Sequence, residues 1–164
     1  MCIRVKKNYI TFKGKRFQCS IGRSGFSKNK KEGDGCTPVG TFYIKNIYYR
    51  ADKVKILNTN INKVKINKTD GWCDDPSQKE YNQLICFPYK FSAEELYRDD
   101  SLYDIVCVLN YNTNPVKPGL GSAIFMHVEK NGYKPTEGCI ALKQEDLIFL
   151  LNLIDKQTKI ILGD

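Results

Sequence analysis

Short runs of β-branched and aromatic residues, separated by clusters of turn-forming residues, recur along almost the whole chain. Such runs predict strands, because these side chains pack well on a pleated sheet. The predicted strands are CIRVKK, YITFK, RFQCSI, GTFYIKNIYYR, VKIL (54–57), VKIN (64–67), LYDIVCVLNY, SAIFMHV and TKIILG. The turn clusters are NKKEGDGCTPVG, KTDGWCDDPSQKEYN and NTNPVKPGLGS, rich in Gly, Pro, Asn and Asp. The pattern predicts a mainly β fold, with site residues in the loops.

Two segments depart from this pattern and predict one or two short helices. In SAEELY, Ser92 precedes Glu95 by three residues, which is the spacing of a capping box. QEDLIFLLNLIDK begins with Glu145 and Asp146, which suit the positive end of a helix dipole. Its apolar residues share one helical face, namely Leu147, Leu150, Leu151 and Ile154. We expect this helix to pack on the sheet just after Cys139 and to precede a last strand.

Length and charge limit the classes of protein that the chain can represent. Its 164 residues predict a single domain, 1–164, and we expect a monomer. The net charge of +8 favours an anionic partner, but no helix-turn-helix, zinc-finger or RNA-binding motif accompanies it, so we expect no nucleic-acid partner. No run of about 18 apolar residues predicts a membrane span. The start, MCIRVKKNYITFKGK, has lysines where an export signal needs apolar residues.

The cysteines argue against a bound metal. The seven cysteines include no C-x-x-C pair, and the chain has one histidine, His127, so no zinc-binding spacing is present. We therefore expect no metal and no other cofactor. In the absence of an export signal, we expect most or all of the thiols to be reduced.

His127 and Cys139 are the candidates for chemistry. A cysteine nucleophile needs an imidazole to take and return its proton, and backbone N–H groups aimed at the oxyanion of the intermediate. His127 ends an apolar strand, Cys139 follows a polar loop, and Gly138 lets the backbone approach a substrate closely. The amides of Gly138 and Cys139 are the candidate oxyanion donors. The spacing alone is equally compatible with a lone imidazole beside an ordinary buried thiol.

The segment HVEKNGYKPTEGCIAL resembles the signature of the YkuD-type L,D-transpeptidases, in which a histidine is followed by a loop and then Ser/Thr-x-Gly-Cys. In this chain that tetrad runs from Thr136 to Cys139. Four further segments resemble the short proteobacterial branch of that family and occur in the family's order: GRSGFSKNKKEGDGCTPVGTF, GWCDDPSQKEYN, YRDDSLYDIVCVLNYN and PGLGSAIFMHV. Together the similar segments span roughly residues 20 to 142.

The resemblance implies a β-sandwich-like catalytic domain that performs acyl transfer on peptidoglycan stem peptides. Cys139 would attack the carbonyl of a meso-diaminopimelate or neighbouring residue of a donor stem, and an acceptor amine would resolve the thioester. His127 would act as the base and then the acid. The backbone carbonyl of Thr136 would orient the imidazole, so no catalytic carboxylate is implied.

Two positions depart from the family's usual pattern. Glu137 stands where most members have His, and Ala141 stands where most have an Arg that is expected to bind a substrate carboxylate. Arg98 or Arg23 could replace this Arg, because a guanidinium binds a carboxylate with two hydrogen bonds. We favour Arg98, whose alternative is an ion pair with Asp99 or Asp100.

The turn-rich segments offer further candidates. Trp72 could form an exposed aromatic wall for the substrate, or could be a buried residue capping the core. Asp74 and Asp75 could hold an ammonium group of the stem peptide. In EGDGCTPVGTF, Gly35, Pro38 and Gly40 could border the cleft, but a tight turn into a strand is the better interpretation.

Two other functions remain open. Water could resolve the thioester in place of an amine, which would give an L,D-carboxypeptidase or endopeptidase. A non-catalytic module that binds the cell wall or another polyanion would use the basic surface and leave Cys139 inert. Crosslinking takes place in the periplasm or cell envelope, where we expect the protein; without a visible export signal, a cytoplasmic enzyme acting on muropeptides is the alternative.

Overall fold

A computed structural model describes residues 1–55 and 58–163. Fifteen strands and one helix, α1 (Gln144–Leu151), are described. The strands in chain order are β1 Cys2–Val5, β2 Tyr9–Phe12, β3 Lys15–Ser20, β4 Phe26–Ser27, β5 Thr37–Pro38, β6 Gly40–Phe42, β7 Ile44–Tyr49, β8 Lys63–Lys65, β9 Asp70–Cys73, β10 Leu84–Cys86, β11 Ala93–Glu95, β12 Ile105–Leu109, β13 Phe125–Val128, β14 Ile140–Leu142 and β15 Lys159–Leu162. The prediction of a mainly β fold is confirmed, and the curled sheets agree with a β-sandwich-like arrangement.

Ten of the strands form one curled sheet in the order β6-β15-β1-β2-β3-β14-β13-β12-β7-β8. Strands β12 and β13, which lie inside this sheet, are buried along their whole length, so their alternating side chains fill two cores. One core includes Met126 and Val128 together with Leu147 and Leu150 of α1. The other core contains Val106, Val108 and Phe125. His127 alternates with Met126 and Val128 along β13, so its side chain lies on the same face as Phe125.

A three-stranded sheet, in the order β10-β9-β11, contributes to this second core. Trp72 of β9 contacts Phe125 edge to face, with the ring centroids 5.2 Å apart. The sequence pattern predicted turns for the residues of β9, because Asp70–Cys73 contains a single large apolar side chain and lies among turn formers. Pairing with β10 and β11, the next two strands along the chain, makes this segment a strand.

The helix predictions had different outcomes. In α1, Glu145 and Asp146 occupy the first turn and Leu147, Leu150 and Leu151 are buried, as predicted, although the helix ends at Leu151. The predicted helix in SAEELY is wrong, because Ala93–Glu95 is strand β11 and pairs antiparallel with β9. A helix of one or two turns is not stable by itself, so inter-strand hydrogen bonds outweigh a capping pattern.

Most of the predicted strands are confirmed, including the last strand after α1. The predicted strand 54–57 extends over residues 56 and 57, which lie outside the described residues. The segment around Gly35 and Pro38 forms a turn followed by β5 and β6, as the sequence indicated. Within residues 1–55 and 58–163, no helix is long and apolar enough to cross a membrane.

Candidate active site

A cavity of about 770 Å³ lies where β13, β14 and β11 approach one another. Its wall includes His127 and Cys139. β13 and β14 are parallel neighbours, with His127 opposite Ala141. Because side chains alternate along a strand, Cys139 lies on the same face as Ala141, and therefore on the face of His127. The fold thus brings the predicted nucleophile and base to one cavity.

The imidazole of His127 is buried, with 3% of the residue exposed. Its Nδ1 lies 2.8 Å from the carbonyl oxygen of Val128. A carbonyl oxygen only accepts, so Nδ1 carries the proton of the neutral ring and Nε2 is the basic atom. The pKa of His127 is lowered to about 4, chiefly by burial; the charge of Arg98 acts in the same direction, and the carbonyls of Val128 and Leu102 act in the opposite one. The ring is therefore neutral at pH 7 and able to accept a proton.

Cys139 is partly exposed and its Sγ donates a hydrogen bond to the carbonyl oxygen of Ala123, 3.0 Å away. The pKa of the thiol is raised to about 12, chiefly by burial and in addition by the negative charge of Glu94. The backbone N–H of Phe125 points to the sulfur and acts in the opposite direction. The resting site therefore holds a neutral thiol and a neutral imidazole.

The turn that carries Cys139 is held by hydrogen bonds to two threonines. Thr136 Oγ1 donates to the carbonyl oxygen of Cys139 (2.6 Å) and accepts from the N–H of Gly138 (3.1 Å). Thr37 Oγ1 donates to the carbonyl oxygen of Gly138 (2.8 Å). Gly138 has a φ of +144°, and an added Cβ would lie 2.8 Å from the carbonyl oxygen of Cys36. Only glycine fits this position without displacement of the backbone.

The contacts around Thr136 differ from those that the family resemblance implies. The imidazole contacts the carbonyl of Val128, whereas the carbonyl of Thr136 accepts a hydrogen bond from the N–H of Arg23 (2.8 Å). Thr136 does line the cavity. Orientation of the imidazole by Thr136 and donation from Gly138 to an oxyanion both stay predictions.

The two candidate arginines lie in different places. Arg98 lines the cavity, and its Nε and Nη2 donate to the carboxylate of Asp100 at 2.8 and 2.7 Å. This pair lowers the pKa of Asp100 to about 2. Arg98 thus forms the ion pair with Asp100 that the sequence offered as an alternative to substrate binding, and it also lines the cavity. Arg23 lines a neighbouring cavity of about 650 Å³ and pairs with the exposed carboxylate of Glu137 at 3.0 Å.

The other substrate-binding candidates lie away from the cavity wall. Trp72 is 6% exposed, and its Nε1 donates to Asn82 at 3.0 Å, so the prediction of an exposed aromatic wall is wrong. Because β9 pairs with β10 and β11, the ring of Trp72 packs in the second core. Asp75 accepts from the backbone and hydroxyl of Ser77, and Asp74 has a buried oxygen without a partner among the described residues. Neither aspartate lines the cavity, and binding of an ammonium group by them stays a prediction.

The sequence interpretation missed three residues of this region. Glu94 lines the cavity, and its Oε2 accepts a hydrogen bond from the hydroxyl of Tyr103, whose ring lies 5.4 Å from that of His127. Thr37 supports the nucleophile turn from β5. Glu94 lies in the segment interpreted as a helix, so no signal in the sequence placed it at the site. No group of three or more His, Cys, Asp or Glu that could hold a metal ion is found in the described part of the chain.

Comparison with known proteins agrees with this geometry. The family model of the L,D-transpeptidase catalytic domain, YkuD, matches residues 2–162. The chain therefore belongs to the family of L,D-transpeptidase catalytic domains. Domains of this family act on peptidoglycan peptides and are typically found in the cell envelope. No curated protein matches the chain.

Proposed function

We propose that the protein is a cysteine L,D-transpeptidase that acylates Cys139 with a peptidoglycan stem peptide and transfers the acyl group to an acceptor amine. The observation that carries this proposal is the position of His127 on β13 and of Cys139 immediately before the neighbouring parallel strand β14, both in the wall of one cavity. We further propose that residues 1–164 act as one catalytic domain in the cell envelope, as a monomer.

The first half-reaction forms a thioester. Cys139 Sγ attacks the carbonyl carbon of the diamino residue in the donor stem while His127 Nε2 takes the thiol proton. Because the thiol and imidazole are both neutral at rest, the proton moves as the C–S bond forms. The Cys139 N–H, and that of Gly138 once released from Thr136, stabilises the oxyanion. Collapse of the intermediate breaks the C–N bond, and His127 returns the proton to the leaving amine.

The second half-reaction releases the product. The acceptor amine attacks the thioester carbonyl and gives a proton to the neutral Nε2 of His127. The C–S bond then breaks, and the departing thiolate regains the proton. Attack by water through the same steps would give a shortened stem peptide instead of a crosslink.

The test uses purified disaccharide-tetrapeptides with the wild type, Cys139→Ala and Cys86→Ala. Cys86 is exposed in β10 and does not line the cavity, so Cys86→Ala is the matched control. We expect crosslinked dimers, followed by mass spectrometry, with the wild type and the control and none with Cys139→Ala. Shortened monomers would instead identify a hydrolase, and products unchanged by loss of Cys139 would overturn the proposal.

A further inference from the structure

Glu94 is a carboxylate that the fold places beside the nucleophile. In the pairing of β11 with β9, Glu94 lies opposite Trp72, so both side chains project from the same face. Trp72 contacts Phe125, which precedes His127 by two residues on β13. The small sheet therefore places Glu94 in the wall of the cavity that Cys139 also lines.

The carboxylate of Glu94 has a phenol partner and no cationic one. Its Oε2 accepts from the hydroxyl of Tyr103. Among residues 1–55 and 58–163, no Lys or Arg lies within salt-bridge distance of Glu94. Arg98 is the cation whose charge acts on Glu94, and its guanidinium is already paired with Asp100. Glu94 is therefore left without a direct ion-pair partner among the described residues.

A second carboxylate increases the negative charge behind the wall. Burial raises the pKa of Glu94 and the charge of Asp74 acts in the same direction, whereas the hydrogen bond from Tyr103 and the charge of Arg98 lower it. Asp74 Oδ1 is buried and has no hydrogen-bond partner in the described part of the chain. Carboxylates taken out of water are normally paired with a cation, so a cavity whose wall presents the half-buried Glu94 without such a partner is complementary to a cationic ligand group.

We propose that Glu94 binds the side-chain ammonium group of the diamino residue in the donor stem peptide and so holds that residue's carbonyl at Cys139. This inference rests on the proposed function. Arg98, Lys130 and Lys134 line the same cavity and supply cations for the carboxylates of the same peptide. Binding of the ammonium also offsets the negative charge of Glu94, which opposes thiolate formation at Cys139. A substrate that carries this group therefore favours the attack of Cys139 on its carbonyl.

The test measures binding without turnover. Two stem tetrapeptides are compared by calorimetry, one with diaminopimelate at the third position and one with 2-aminopimelate, which keeps the carboxylate and lacks the second amine. Each is titrated into Cys139→Ala and into Glu94→Gln/Cys139→Ala. Glutamine keeps the size of the side chain and an oxygen that accepts from Tyr103. Glu145→Gln/Cys139→Ala is the control, since Glu145 is exposed at the start of α1 and carries the same charge change.

We expect Glu94→Gln to weaken binding of the diaminopimelate peptide by about ten-fold or more and that of the 2-aminopimelate peptide by less than about two-fold. Equal losses for both peptides, no loss for the first, or no binding of either would overturn the inference. The proposed function is judged separately by Cys139-dependent products. If the wild type forms crosslinks but Glu94→Gln leaves binding of the diaminopimelate peptide unchanged, the role of Glu94 is overturned and the proposed function stands.

Discussion

Thr37 Oγ1 donates a 2.8 Å hydrogen bond to the carbonyl oxygen of Gly138 and thereby joins two residues that are 101 positions apart. The same hydroxyl oxygen accepts a 2.9 Å hydrogen bond from the N–H of Gly22. Thr37 is fully buried, so neither backbone group has ready access to water. One side chain therefore connects β5, the segment that follows β3 and the turn that presents Cys139.

Replacement of Thr37 by valine tests this connection. Valine keeps the shape but leaves the Gly138 carbonyl and the Gly22 amide without their side-chain partner. We expect a loss of about 1–3 kcal/mol in the free energy of unfolding, measured by denaturant titration. The control is Thr41→Val, because Thr41 is exposed on β6. Equal stability of the two variants would contradict the connecting role.

The buried imidazole predicts a pH dependence of stability. The pKa of His127 falls from about 6.5 in the unfolded chain to about 4 in the folded protein. The unfolded chain thus binds the proton first as the pH falls, and stability present above pH 6.5 is lost towards pH 4. Over this range, protonation of His127 lowers the free energy of unfolding by about 3 kcal/mol.

The measurement is the free energy of unfolding between pH 7 and pH 4 for the wild type and for His127→Gln. Glutamine does not titrate, so we expect the variant to lose less stability than the wild type over this window. Groups common to both proteins cancel in the difference. Parallel curves would show that the imidazole is not held neutral by burial.

The neutral thiol predicts slow alkylation of Cys139 in the empty site. The thiolate is the reactive form, and a pKa of about 12 leaves little of it at neutral pH. We expect iodoacetamide to modify exposed Cys86 faster than Cys139 at pH 8, and the Cys139 rate to rise about ten-fold per pH unit. Peptide mass spectrometry after timed labelling measures both rates. Rapid labelling of Cys139 at pH 6 would instead indicate a preformed thiolate–imidazolium pair.

Arg98 is expected to bind the substrate and to lower the pKa of His127. Arg98→Gln removes a cation that lines the cavity, so we expect KM to rise about ten-fold. It also removes a charge that lowers the pKa of His127, so the acidic limb of kcat/KM should move to higher pH. Arg23→Gln, outside this cavity, is the control. Unchanged kinetics of Arg98→Gln would argue that Asp100 fully occupies the guanidinium.

Local patterns were sufficient for much of the fold. β-branched and aromatic runs predicted β1, β12, β13 and β15, because these strands consist of side chains that a buried sheet requires. The amphipathic pattern after Cys139 predicted α1. Local patterns failed for SAEELY and for Trp72. Residues 93–95 and Trp72 belong to a small sheet whose strands contain few β-branched residues and form only through pairing with one another.

The sequence by itself determined the mainly β class, the helix after Cys139 and, through the motif from His127 to Cys139, the family. The tertiary structure alone decided what surrounds that pair: Glu94 in the cavity wall, Thr37 on the nucleophile turn and the carbonyl of Val128 on the imidazole. A motif records the identity and spacing of residues that lie close along the chain. Burial, charge and hydrogen-bond partners depend on strands that meet only in the folded protein, and these set the protonation of His127 and Cys139.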